Sequence, residues 1–293
     1  MINKSYLKGF VPIILLCLVL LGVGAAYDFT ITDTLYNPGN KVCILVEAIA
    51  KFPIFAYLPV FGACMVVRNN NSPARFAVGV VLLMASWCVL FYSAGSVLAE
   101  NGLIRKSNPY ISGIIGGLAS RLTFMTIRGM SRQTVKKIQS VCVFAFFMMV
   151  GYFGGVGGLK VLCGRDRYRD IISGGAFAFA PWYKPVFLSD GSSFPSGQPA
   201  RAMGVLTLLL LPFVFEKFKD KKLPLFVLCY VYAFAVGFTR LVLGRHFLSD
   251  VAMSILCMTV GFMILTPLFE TTFRRELLVK PPLKPRKSKK KRR

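Results

Sequence analysis

The chain is built around apolar runs long enough to cross a lipid bilayer, and this limits its folding more than any other feature. The runs fall near 10–27, 52–67, 76–98, 110–128, 139–158, 203–216, 223–239 and 247–269. Most have about 16–23 residues, the length that a hydrocarbon core of ~30 Å asks of a helix. Within lipid each backbone N–H and C=O must find its partner inside the protein, so such runs read as helices. The expected fold is therefore all-α, a polytopic transmembrane helical bundle of about eight spans. With 55% hydrophobic and 16% charged residues, against about 25% charged in a soluble domain, a single soluble core is excluded.

The run at 110–128 is rich in glycine and carries Arg121, which costs roughly 2.5–3.5 kcal/mol at mid-membrane. Parity argues for keeping it. Eight crossings place both termini inside, together with the basic stretches Arg68 to Arg75, Arg128 to Lys137 and Lys217 to Lys222. Without that crossing, either the N-terminal half or the basic C-terminal tail faces the wrong way. Arg121 is expected to snorkel towards the cytoplasmic side. Lys4 and Lys8 precede the first run and Gly24-Ala25-Ala26 follow it; its length favours an uncleaved anchor over a signal peptide.

The net charge is +24, from 36 Lys and Arg against 12 Asp and Glu. The charge is scattered between apolar runs, with no aromatic-interleaved basic surface, so nucleic acid is not the expected partner. From Lys284 to Arg293, eight of ten residues are basic, which reads as a cytoplasmic tail near anionic headgroups. The eight cysteines show no CxxC spacing and mostly lie in apolar runs, the pattern of buried inert thiols. Cys43 and Cys163 fall in segments read as outside, which leaves a disulfide between them open. No His or Cys cluster suggests a metal.

Two outside regions carry cations against the positive-inside rule. One is 159–202, with Lys160, Arg165, Arg167, Arg169, Lys184 and Arg201; the other is the turn with Arg240 and Arg245. Something anionic on that side explains them. Three short stretches stand out there. The first runs from Lys160 to Arg167, the second is Ser192-Ser193-Phe194-Pro195-Ser196-Gly197-Gln198, and the third is Thr239-Arg240, five residues, His246, three residues, Asp250. Phosphoryl transfer asks mainly for positioning and cationic stabilisation, and arginine forks bind phosphate bidentately. Pro195-Ser196-Gly197, just ahead of a helical run, offers backbone N–H groups and a hydroxyl to an anion. His246 is the only histidine in the chain. Asp250, four residues on, can bond one ring nitrogen and leave the other as a nucleophile. Arg165 reads equally as a second phosphate clamp or as the partner of Asp166.

These stretches resemble the three-part signature of the type 2 phosphatidate phosphatase and vanadium haloperoxidase superfamily, with the spacing kept at all three sites. The resemblance implies that Lys160, Arg167 and Arg240 clamp phosphate oxygens, helped by Ser196 and Gly197. It further implies that His246 attacks phosphorus and that Asp250 orients it, with no cofactor in the phosphatase branch. Where the family has a second-motif histidine this chain has Gln198, which donates a hydrogen bond but delivers no proton. Loss of general-acid help typically costs about 10²–10⁴ in rate. Three accounts stand: binding without turnover, a leaving group that needs no acid, or a substitute acid such as Asp166 or Asp190. A departing phosphate ester has a pKa of about 6, against ~15.7 for water, so a diphosphate suits the second account. Tyr168, where the family has proline, and Thr239, where it has serine, are smaller departures.

The expected division is accessory helices over 1–138, a phosphatase-like catalytic core over 139–272 and a basic tail over 273–293. The expected activity is hydrolysis of a lipid phosphate or diphosphate, such as polyprenyl diphosphate or phosphatidylglycerol phosphate, on the outer face of the cell membrane. A silent lipid-phosphate binder and a phospholipid transporter are the alternatives. Oligomeric state is not readable from the sequence.

Overall fold

A computed structural model of the chain describes residues 8–68, 72–174, 177–187 and 191–278. Eight helical spans answer the eight apolar runs: Val11–Leu35, Lys41–Val67, Pro73–Glu100, Pro109–Arg128, Arg132–Ile172, Gly197–Val214, Glu216–Val242 and Leu248–Thr271. Among the described residues there is no strand. The basic block at 284–293, with its expected contact to headgroups, lies outside the described residues, as does Asp190.

Several spans begin as sequence chemistry dictates. Ser72 accepts from the Arg75 N–H, Asn108 from those of Tyr110 and Ile111, and Ser131 from that of Thr134. Proline follows directly at Pro73 and Pro109, where its missing N–H costs nothing. The fourth span is continuous across Arg121, whose side chain faces outward. At 1.5 Å per residue it lies about 10 Å from the helix end at Arg128, within reach of the interface for a long cation. Val19, Val81, Leu118 and Val231 are likewise exposed on the outer surface of the bundle, which suits lipid as the surrounding solvent.

Irregularity concentrates where the site is built. The second span is three pieces, Lys41–Ile49, Phe52–Phe55 and Tyr57–Val67. The fifth runs as α-helix over Arg132–Gly151, loosens to a π-helix over the glycine-rich Tyr152–Gly157, and resumes over Gly158–Cys163. Such widened turns are frequent at functional sites. The sixth opens with Gly197–Ala202 and continues as 3₁₀-helix over Met203–Leu210.

The main core joins Phe10 and Cys17 of the first span to Phe144, Met148, Leu206, Ile255 and Phe262 of the fifth, sixth and eighth. A second cluster, Ala63, Cys64, Leu83, Ile127 and Val135, joins the second to fifth spans. The first span is thus packed into the same core as the motif-bearing helices. Gly24 makes that approach possible: a Cβ there would lie 2.9 Å from the Ser249 Cβ and 2.7 Å from the Asp28 carboxylate. All eight cysteines are free thiols, so Cys43 and Cys163 do not form the disulfide the sequence left open.

Candidate active site

The turn between the seventh and eighth spans holds His246. Gly244 reverses the chain there with φ +61°, a conformation that side-chain-bearing residues rarely adopt. A Cβ on it would also strike the Tyr36 ring at 2.5 Å. The His246 ring is 4% exposed. Its Nδ1 lies 3.4 Å from Asp250 Oδ2 and 3.4 Å from Ser193 Oγ. Asp250 is itself fixed from several sides. Its Oδ2 accepts from the Phe247 N–H at 2.8 Å and the Ser193 hydroxyl at 2.5 Å. Its Oδ1 accepts from Arg165 Nη1 at 2.6 Å. Burial drives the imidazole pKa down to about 3, with Lys160 and Arg240 pushing the same way and the Asp250 carboxylate opposing them. His246 is neutral, and its Nε2 is the nitrogen left for a reaction partner.

The three motifs meet around this ring. Ser193 donates its backbone N–H to Arg165 O at 2.7 Å, and Ser196 donates its own to Asp250 O at 3.0 Å, which ties the second stretch to the first and third. Arg167 Nη2 donates to Ser192 Oγ at 2.9 Å, and Lys160 Nζ donates to the Ser192 carbonyl. Lys160 and Arg240 both lie within electrostatic range of His246, and Arg167 within range of both cations. Ser196 Oγ, Gln198 Oε1, Arg167 Nε and Arg240 Nε are buried with no hydrogen-bond partner. Buried polar groups are normally satisfied, so these four atoms, spread over the three motifs, mark a place prepared for a polar guest. The peptide Phe194–Pro195 is cis.

Arg165 departs from its expected role. It pairs neither with Asp166, which accepts instead from the Ala178 N–H at 3.2 Å, nor does it present a free fork to a phosphate. Its Nη1 is committed to Asp250, and its Nη2 to Asp28 Oδ2 at 2.9 Å. Its guanidinium sits 4.2 Å from the Phe247 ring centre. At 2% exposure it holds the Asp250 carboxylate that lies against His246.

Two carboxylates of the site were not singled out from the sequence. Asp28, on the first span, accepts from Arg165, from the Ser249 N–H at 3.0 Å and from the Ser249 hydroxyl. Glu47, on the second, pairs with Arg240 at 2.8 Å and Arg245 at 3.4 Å. Asp28 falls just past the run at 10–27 and Glu47 ahead of that at 52–67; the helices extend over both, and an isolated acid within a span is costly enough to flag a functional position once those bounds are known. The departure at Tyr168 also finds a reason: its hydroxyl bonds Asp33 Oδ1 at 2.5 Å, anchoring the first motif to the first span. Trp182 bonds the Leu21 carbonyl at 3.0 Å and stacks on Phe194, so the loop between the fifth and sixth spans is fastened to the first span too. Among the described residues no group of His, Cys, Asp or Glu has metal-holding geometry.

Neither the curated proteins nor the solved structures yield a significant match to the chain. Residues 113–275 match the family model described as the PAP2 superfamily, a span that takes in all three motifs and more than half of the chain. The chain therefore belongs to the PAP2 superfamily, the type 2 phosphatidate phosphatase superfamily that its motifs resemble.

Proposed function

We propose that the protein is a lipid phosphate phosphohydrolase that works through a phosphohistidine on the outer face of the membrane. The observation that carries this reading is a neutral, buried His246 held by an over-determined Asp250 and faced by Lys160 and Arg240, with Arg167 in range of both cations. The unpartnered Ser196 Oγ and Arg240 Nε supply hydrogen-bond capacity that phosphate oxygens need. In this mechanism Nε2 attacks phosphorus in line with the departing oxygen. The developing imidazolium is stabilised by Asp250, and the charge on the peripheral oxygens by the three cations. Water then attacks the phosphohistidine, the P–N bond electrons return to Nε2, and phosphate leaves.

Orientation follows from charge. The basic stretches at 68–75, 128–137 and 217–222 all connect spans at the end away from the His246 turn, which fits the cytoplasmic side under the positive-inside rule. Both termini then lie inside as well.

Gln198 supports a second reading, binding without turnover, because its amide has no proton to give to a leaving alkoxide. One experiment decides between the two. Phosphate release is measured from detergent-purified protein across a panel of lipid mono- and diphosphates, with His246→Ala as the control. Turnover that vanishes in the control supports the phosphatase. Saturable binding with no release from any lipid supports the binder. Release that persists in His246→Ala removes the nucleophile assignment.

A further inference from the structure

Two cations outside the three motifs lie beside the phosphate cradle. Arg201 sits one helical turn past Gly197, to whose carbonyl its Nε donates at 3.1 Å. Its Nη2 lies 3.2 Å from the point that a Cβ on Gly197 would occupy, and its guanidinium is 5.7 Å from the Tyr152 ring centre. Lys51 occupies the break in the second span, between Ile49 and Phe52, and its ammonium is held by the carbonyl and hydroxyl of Ser93. Both side chains are half-buried. Neither forms an ion pair with a carboxylate among the described residues; of the two acids within range of Lys51, Glu100 is exposed and Glu47 is bound by Arg240 and Arg245.

The two cations line one cleft of about 480 Å³, whose remaining wall includes Phe55, Leu58, Val89 and Leu90. Arg201 is within electrostatic range of Lys51 on one side and of Lys160 on the other. Positive charge thus continues from the cradle, past Gln198, into an apolar cleft between the second, third and sixth spans. Two unpaired cations half-buried in the bundle repel each other in a medium that screens poorly, and a buried charge needs a counter-charge. The cleft supplies the other half of an amphiphile's requirement, an apolar wall.

We propose that Lys51 and Arg201 form a second anion site, which holds the inner, non-transferred phosphate of a lipid diphosphate while its apolar chain lies in the cleft. The inference rests on the phosphohistidine reading for its chemistry. His246 Nε2 bonds to the outer phosphorus as the bond from that phosphorus to the bridging oxygen breaks. The electron pair leaves with the lipid monophosphate, whose new charge Arg201 and Lys51 neutralise. Water then takes the phosphoryl group from Nε2, releasing inorganic phosphate and a proton. No acid is needed at the bridging oxygen, so an amide at position 198, donating a hydrogen bond there, is sufficient. Substrate class and the identity of residue 198 then have one cause.

The test compares a non-hydrolysable methylene bisphosphonate with a monophosphonate carrying the same farnesyl chain. Binding to the full-length detergent-purified chain is measured for wild type, Lys51→Met, Arg201→Gln and the charge-keeping Lys51→Arg and Arg201→Lys. Wild type should bind the bisphosphonate at least tenfold more tightly. Lys51→Met and Arg201→Gln should each remove most of that preference, and the charge-keeping variants should retain it. Equal binding of the two compounds by wild type overturns the proposal, as does an equal loss for both compounds in the neutral variants. If Arg201→Gln does not fold, Lys51→Met and the two charge-keeping variants still decide. Binding does not require turnover, so a preserved preference in a protein that releases no phosphate refutes the phosphatase reading and leaves the second anion site standing.

Discussion

At the scale of single residues, the site turns on keeping an imidazole neutral beside a carboxylate and three cations. Burial holds the His246 pKa near about 3 against an ordinary value of 6.5, so the folded state binds fewer protons than the unfolded chain between those values. Stability linked to this group is fully present above 6.5 and is lost progressively as pH falls through that window. Thermal unfolding in detergent from pH 7.5 to 4.5 should therefore show a steeper loss for wild type than for His246→Gln; parallel curves contradict the assignment. Gln198 makes the second residue-scale prediction. Restoring histidine by Gln198→His should raise phosphate release from lipid monophosphates by about 10²–10⁴, the usual yield of a general acid. Release from diphosphates should rise far less, because their leaving group is already a stable anion. Equal gains on both substrates, read as kcat in a phosphate-release assay, contradict the leaving-group account. That His246, Asp250, Arg240 and Lys160 lie together was legible in the sequence because motif spacing carries their geometry. The partners of Arg165, Asp250 and Asp28, were not. Asp166 is adjacent in sequence, whereas Asp28 lies 137 residues away, and only tertiary packing chooses between them.

At the scale of elements, the first two spans do more than fill the membrane. Asp28 and Glu47 place buried carboxylates against Arg165 and Arg240, so the helices read as accessory hold the cations and carboxylate that frame His246. Removing one partner of a buried ion pair typically costs about 3–5 kcal/mol, because the other charge is left uncompensated. Asp28→Ala should lose stability of that order in denaturant or thermal unfolding. Phosphate release should fall with it, since Asp250 loses the rigidity of its Arg165 brace. An Asp28→Ala protein with unchanged stability and activity contradicts this account of the first span. The helices themselves were legible because lipid leaves an apolar run only one way to satisfy its backbone. The breaks were less so. The glycine-rich stretch 151–158 lies within the apolar run at 139–158, and nothing local distinguishes a regular helix there from the π-helix at Tyr152–Gly157, which depends on how the fifth span meets its neighbours.

At the scale of the whole molecule, three stretches spread over 91 residues of sequence, from Lys160 to Asp250, meet at one end of an eight-span bundle. The orientation proposed from charge puts that end outside. A cysteine at Phe187 should react with a membrane-impermeant maleimide in intact cells, and one at Arg132 only after the membrane is opened. The reverse pattern contradicts the orientation. The account as a whole claims that this bundle passes a phosphoryl group through His246. Its most direct test is to mix the protein with a lipid diphosphate labelled in its outer phosphate, quench within one turnover under alkaline conditions that preserve phosphohistidine, and locate the label by peptide mass spectrometry. The label should sit on His246 in wild type and be absent from His246→Ala. Phosphate release without label on His246, or with label at another residue, contradicts the account.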